Sequence, residues 1–367
     1  MNARSRAVLL ERFGEPLSLE EFEVPDPAPG AALVRIGLAG ICGTDAHLHE
    51  GHLPIELPVV LGHEAVGRIA ALGDGVTADI LGRPLREGDW VTWASSISCG
   101  RCYWCLMKGE RTLCTSRATY GINRRADEWP HLGGGWADFI YLHPGTAMVK
   151  LPRGVGPEEA AALGCAAPTV VHGLGLAPVE PGDVVVVQGS GPVGVAAALY
   201  ARLGGASKVL MVGGPANRLE LARRLGLADD YLDIFAVADP GERANWVESH
   251  TDAGRGGDLV VECTGVPSAV AEGIAMCRPA GRLLVLGQYT DAGPATFTPH
   301  LVTRKQLHVL GSWAFAESHY AAYVASLPEL LERCALGRLV STYPLDRANE
   351  ALADVKAGAV MKAVLHP

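Results

Sequence analysis

A chain of 367 residues with 49% hydrophobic and 19% charged residues exceeds the usual size of one hydrophobic core, and it predicts a folded α/β protein of two domains rather than a disordered chain. Its net charge of −9, with no concentrated basic face, argues against a nucleic-acid groove. No apolar run reaches the ~18 residues needed to span a bilayer, so no membrane partner is expected and small molecules are.

The first six residues lead into a short strand-like run at 7–10 rather than a signal-peptide core, which points to the cytoplasm. Over the first ~150 residues, short Val, Ile and Leu runs such as 33–36 and 66–69 are broken by Gly, Pro and Asp, the pattern of a compact β-rich unit. Two stretches in it carry chemistry: Gly40-Ile41-Cys42-Gly43-Thr44-Asp45-Ala46-His47 and Gly62-His63-Glu64. Of the nine cysteines, four then crowd together at Cys99, Cys102, Cys105 and Cys114, which in a chain without export signals favours metal over disulfides. The pattern turns helical at 157–163 and is followed by Cys165.

A buried-strand run at 184–187 opens a second series, in which runs at 208–212, 258–262 and 282–286 alternate with helical stretches. That alternation predicts a parallel, doubly wound sheet. Beyond about residue 305 it weakens, and 329–336 and 348–356 read as amphipathic helices flanking short strands.

The chemistry follows from spacing and residue type. Cysteines two residues apart let neighbouring sulfurs reach one tetrahedral ion, so Cys99, Cys102, Cys105 and Cys114 describe a closed, structural zinc; an iron–sulfur cluster or free thiols are the alternatives. Cys42, His63 and Cys165 would give two sulfurs and one nitrogen with a fourth position open, the arrangement of a catalytic zinc. Each alone would read as a buried thiol or a core histidine. After the strand at 184–187 comes Gln188-Gly189-Ser190-Gly191-Pro192-Val193-Gly194 and then a helix. Strand, glycine turn and helix N-terminus stand in the order that binds a dinucleotide pyrophosphate. The next strand ends at Val212-Gly213-Gly214-Pro215 without the carboxylate that commonly holds the adenosine ribose. Arg218 could meet a 2′-phosphate or equally an NAD group, so the residues leave the coenzyme open.

Taken together and in this order, these motifs resemble the zinc-dependent medium-chain alcohol dehydrogenases over essentially the whole chain. The resemblance implies a GroES-like catalytic domain at 1–166 with a zinc lobe near 95–116, a Rossmann domain at 167–304, and a return at 305–367 that completes the catalytic domain. It implies two zinc ions per chain and hydride transfer between an alcohol and a nicotinamide dinucleotide, with ketone or aldehyde reduction as the reverse. Carried over residue by residue, Thr44 and His47 match a proton relay, Asp45 the carboxylate that orients the zinc-binding histidine, and Glu64 an alternative ligand beside the metal. Thr169, Thr264, Leu286, Ser312 and Ala314 fall in segments that face the nicotinamide. Two departures stand out: the Cys105–Cys114 gap is one residue longer than the commonest pattern, and Gly213 replaces the usual aspartate. A narrower likeness, in Cys102-Tyr103-Trp104-Cys105, Tyr120-Gly121-Ile122-Asn123-Arg124, Pro130-His131-Leu132-Gly133-Gly134 and the Gly213 turn, is to the subgroup containing hydroxycamphor dehydrogenases; it favours NAD over NADP and an apolar, cyclic secondary alcohol.

Around these residues, Trp93, Ser95 and Trp313 could wall a substrate pocket or simply pack the core. His49 and His52 read as solvated loop residues, and Cys263, Cys277 and Cys334 as ordinary buried thiols. A zinc-independent enone reductase on the same scaffold would not need Cys42, His63 and Cys165, and a non-catalytic dinucleotide-binding protein would have lost them. A homodimer or homotetramer is expected, with 282–287 and 307–310 as candidate edges for sheet pairing between subunits.

Overall fold

The computed structural model describes residues 3–367, which form two compact units, one ending its first stretch at Cys165 and continuing as Phe315–Pro367, the other Ala166–Ala314. The first is built on a seven-stranded sheet in which Met148–Lys150, Trp90–Trp93, Ala65–Leu72, Ala32–Gly40, Lys362–His366 and Val340–Pro344 lie side by side, with Phe139–Leu142 also paired to Ala32–Gly40. Ala32–Gly40 is central because its residues are buried on both faces apart from Arg35 and Gly37. A run of this kind is stable only when covered on each side. Its end delivers the chain to Cys42. The C-terminal strand Lys362–His366 pairs antiparallel with that end, Val364 opposite Gly40 and Leu365 opposite Ala39, so the last residues of the chain reach the same place. One core cluster joins Ile36, Ile41, Trp93, Trp136, Leu352 and Leu365, each fully buried aliphatic side chain contributing ~1.5–3 kcal/mol relative to exposure.

The second unit is a six-stranded sheet in the order Asp230–Asp233, Lys208–Gly213, Val184–Gln188, Gly257–Glu262, Cys277–Val285, His308–Gly311, and every pairing in it is parallel. Numbered within the unit the order is 3-2-1-4-5-6, with the topological switch beside Val184–Gln188. Val185, Val186 and Val187 are fully buried, as a strand with helices on both faces requires.

Three expectations change. The second unit runs to Ala314 rather than 304, because the run after Lys305 adds His308–Gly311 to the parallel sheet instead of returning to the first unit. The segment 282–287 is no edge: its strand lies between Gly257–Glu262 and His308–Gly311, and only the latter is terminal. The helix expected at 329–336 begins at Glu317 and ends at Arg333. It carries Pro328 in its interior, where the ring costs one backbone hydrogen bond that the buried face of Tyr320, Val324, Leu327 and Leu330 outweighs. Among the described residues no helix is long and apolar enough to cross a membrane.

Candidate functional site

Cys42 precedes the helix Gly43–His49 in an extended conformation (ψ 162°), and its N–H donates to Asp45 Oδ2 at 2.8 Å. The same carboxylate, wholly buried, accepts from His63 Nδ1 through Oδ1 at 3.1 Å. Asp45 thus fixes the helix start and the imidazole together, leaving Nε2 as the ring's acceptor. His63 Nε2 is buried with no protein partner. Its neighbours are the Cys42 and Cys165 sulfurs, the three ligand atoms lying within 4.8 Å of one another. An orphaned imidazole lone pair facing two sulfurs is the donor set that suits zinc with one position left open. Gly62 sets up the turn: its φ is 96°, and a Cβ there would lie 2.4 Å from Trp136 Cδ1.

The charges of the three groups depend on one another. A hydrogen bond from Cys165 and the nearby His63 hold Cys42 well below the usual thiol range, while the same bond and burial push Cys165 up. Burial opposes charge on His63, but Asp45 and the Cys42 sulfur outweigh it and raise its pKa.

Glu64 lies beside this set and is 3% exposed. Its Oε1 is paired with Lys362 Nζ, which also donates to Ile41 O at 3.3 Å. Its Oε2 is buried without a partner. Lys362 was not among the residues expected from sequence; the available signal was a single cation inside the apolar run 361–365. Thr44 Oγ1 is 3.9 Å from Cys42 Sγ. His47, farther along the same helix, places Nδ1 3.1 Å from His52 Nδ1, and burial followed by the neighbouring His52 lowers its pKa. Trp93 is 2% exposed in the core cluster, as core packing requires.

Cys99, Cys102, Cys105 and Cys114 also bring their sulfurs within 4.8 Å. Cys102 and Cys105 Sγ are 3.5 Å apart and the Cys99 N–H donates to Cys114 Sγ at 3.2 Å. Backbone N–H groups, that of Cys105 first, lower Cys102 to about 6, while burial and the neighbouring Cys102 push Cys105 up to about 12. At the start of the Cys105–Cys114 span the chain forms a π-helical turn, Trp104–Lys108. Ser98 N–H donates to Glu317 Oε1 at 3.2 Å and ties the lobe to the helix Glu317–Arg333. Of the remaining cysteines, Cys277 and Cys334 are buried and pushed up to about 12 and 11 by burial, whereas Cys263 is half-buried.

In the second unit the cofactor candidates gather at the C-terminal ends of the strands. Gly189 (φ 111°) turns the chain out of Val184–Gln188, and a Cβ on Gly194 would lie 2.0 Å from Gly189 O, so helix and turn pack against each other only with glycine there. Gly191 precedes the helix Pro192–Leu203, with Pro192 and Val193 in its first turn. Gly191 has open space around it, the nearest atom to a built Cβ being Arg218 Nη1 at 3.9 Å. Burial lowers the Arg218 pKa. Gly213 ends Lys208–Gly213, and a Cβ there would come within 2.9 Å of Ser190 N. Thr264 donates to Glu262 Oε1 from N–H and hydroxyl, both at 2.6 Å, while the Gly287 N–H donates to Oε2 at 3.1 Å. Glu262, wholly buried, therefore ties two strand ends together, a role not foreseen from sequence. Leu286 follows one of these strands. Ser312 Oγ meets His172 Nδ1 at 3.1 Å, and Ala314 O meets the same nitrogen at 2.9 Å. Thr169 lies in the helix Ala166–Leu176. Trp313 is 40% exposed and stacks on Tyr289 with ring centroids 4.7 Å apart.

Comparison with known proteins shows the family. The alcohol dehydrogenase GroES-like domain matches residues 28–153 and the zinc-binding dehydrogenase domain residues 192–330. A 5-exo-hydroxycamphor dehydrogenase of Pseudomonas putida is 38% identical over 354 residues, 95% of each chain. Among solved structures, an alcohol dehydrogenase of Thermotoga maritima superposes with a TM-score of 0.93 at 34% identity, covering 100% of both chains. A zinc-binding dehydrogenase of Sinorhizobium meliloti bound to NADP gives 0.86 at 27% identity, again with 100% of both chains covered.

Proposed function

Since the chain belongs to the zinc-type medium-chain alcohol dehydrogenases, we propose that it oxidises an apolar, cyclic secondary alcohol with NAD, and reduces the ketone in reverse. The observation that carries this reading is the buried, unpartnered His63 Nε2 beside Cys42 and Cys165, with its ring locked by Asp45. Those three residues would hold the catalytic zinc, and the four lobe cysteines a structural one. When bound, zinc supplies a Lewis acid that acidifies an alcohol hydroxyl, and the dinucleotide supplies the hydride acceptor.

The chain's own groups do the rest. Asp45 keeps the proton on His63 Nδ1 so that Nε2 stays a ligand. Lys362 holds the Glu64 carboxylate beside the ligand set and neutralises it. Thr44, next to Cys42, takes the substrate proton, and His47 on the same helix passes it to solvent through its exposed side. Gly189, Gly191 and Gly194, with the first turn of Pro192–Leu203, cradle the pyrophosphate, while Gly213 and Arg218 flank the adenosine end. Thr169, Thr264, Leu286, Ser312 and Ala314 border the nicotinamide. We further propose a homodimer or homotetramer assembled through the edge strand His308–Gly311, where Val309 is 44% exposed.

The test is zinc per chain together with coenzyme reduction over a panel of cyclic and linear secondary alcohols. About two zinc ions and turnover fastest with cyclic alcohols and NAD are expected. One zinc ion and no turnover would overturn the reading.

A further inference from the structure

The helix Gly43–His49 ends in a closed form. The Glu50 N–H donates to Ala46 O at 3.0 Å, Gly51 N–H to Leu48 O at 3.0 Å and His52 N–H to His47 O at 2.9 Å, with Gly51 left-handed at φ 76°. In this ending the residue after the glycine folds back over the side chain at the start of the last turn, and that contact is ordinarily apolar. Here both partners are histidine. The His47 and His52 rings are 5.4 Å apart, tilted by 45°, and their Nδ1 atoms are 3.1 Å apart.

Glu50 stands three residues from His47 on the same helix face. Its Oε2 is 3.5 Å from His52 Nδ1, while Oε1 is held by Lys356 Nζ at 3.0 Å. The same ammonium meets His49 Nδ1 at 3.1 Å, which occupies His49 elsewhere. Two imidazole nitrogens and one carboxylate oxygen thus lie within 4.8 Å of one another. A tetrahedral zinc with ligands at about 2.0–2.1 Å sets neighbouring ligand atoms about 3.4 Å apart, and the observed separations of 3.1 and 3.5 Å bracket that value.

We propose that His47, Glu50 and His52 form a further, solvent-open site for a borderline divalent cation such as zinc, with water completing its shell. None of the three belongs to the Cys42, His63, Cys165 set or to the four-cysteine lobe. The consequence rests on the function proposed above: an ion on His47 withdraws the imidazole from proton transfer, so added zinc slows alcohol oxidation reversibly.

Equilibrium dialysis of the zinc-replete full chain against micromolar Zn²⁺, with metal counted per chain, tests this. One zinc ion beyond the resident ones is expected, bound about tenfold or more weakly by Glu50→Gln and by His52→Asn. Each protein's oxidation rate, relative to its own rate without added zinc, should fall over its own binding range. No additional ion, or one that both variants hold as tightly as the parent, overturns the site whatever the turnover. Binding as expected by a chain that oxidises no alcohol upholds the site and overturns the proposed function. Binding that leaves the rate untouched overturns the inhibitory consequence.

Discussion

Lys362 and Glu64 show how one side chain can set the terms for its neighbours. Both are almost wholly buried, with side-chain exposures of 3% and 2%, and burial alone pushes the Glu64 carboxyl up. An ion pair in such a place adds little over an apolar pair of the same shape, but removing one member strands the other charge at a cost of roughly 3–5 kcal/mol. Lys362→Met should therefore lower the thermal midpoint by several degrees, whereas Lys362→Met with Glu64→Gln should recover most of the loss because no charge is left to strand. Scanning calorimetry of the zinc-loaded proteins reads both. A single variant as stable as the parent would show that the lysine is not what keeps the carboxylate charged. At this scale the sequence was legible wherever spacing carried the chemistry, as with Cys42, His63 and the four lobe cysteines. It was silent on Lys362, whose partner is 298 residues away and meets it only because Lys362–His366 pairs with Ala32–Gly40. Gly213 explains why coenzyme choice resisted reading: the place of a carboxylate is taken by a residue whose Cβ would press on Ser190 N at 2.9 Å, so glycine serves packing there whatever it does for the ribose.

Among the elements, the four-cysteine lobe has little apolar core of its own, so under the proposed function it is the element that would depend most on its zinc. Tyr103, Leu106 and Met107 are exposed by 56%, 67% and 74%, and its regular structure is a π turn and one 3-10 turn, Arg111–Leu113. Elements this short do not persist in isolation, and structural zinc supplies folding energy where a core cannot. Cys102→Ser should accordingly lose one zinc ion per chain and make 99–114 the first site of proteolytic cutting, with the parent protected there. Limited proteolysis with fragment masses checks it, and equal protection of both proteins would assign the lobe's order to packing instead. Whereas the short, polar edge strand Asp230–Asp233 carries no such run and was not foreseen, four strands of the second unit were visible in sequence because buried parallel strands read as unbroken Val and Leu runs. The helix Glu317–Arg333 was less so, because Pro328 interrupts its pattern while the tertiary contacts of Tyr320 and Leu327 keep it whole. The terminal strand His308–Gly311 was read as a pairing edge but assigned to the C-terminal return, because three of its four residues are exposed and it lacks the continuous apolar signature of its neighbours.

For the whole molecule, the proposed chemistry is divided between two units, one carrying the candidate metal ligands and the other the glycine turn. Neither motif set alone distinguishes an enzyme from a binding protein; the family relationship does, through matched domains at 28–153 and 192–330, the second of which runs past Ala314 into the first unit. Assembly is a matter for the surface that remains. His308–Gly311 leaves one side of the parallel sheet without a strand partner, and an uncovered edge is a template for pairing with another chain unless something blunts it. Val309 there is 44% exposed. In a two-fold arrangement the same edge faces itself, so a charge introduced near the axis is placed opposite its own copy and repels it. Val309→Glu should therefore reduce the solution mass to that of one chain, or from tetramer to dimer if a second interface persists, as read by light scattering on a sizing column. The dinucleotide affinity should change little, because the glycine turn lies at strand ends three strands away in the sheet order. A parent that runs as a monomer would remove the edge from consideration, and a variant that keeps the parent's mass would place the interface on another face.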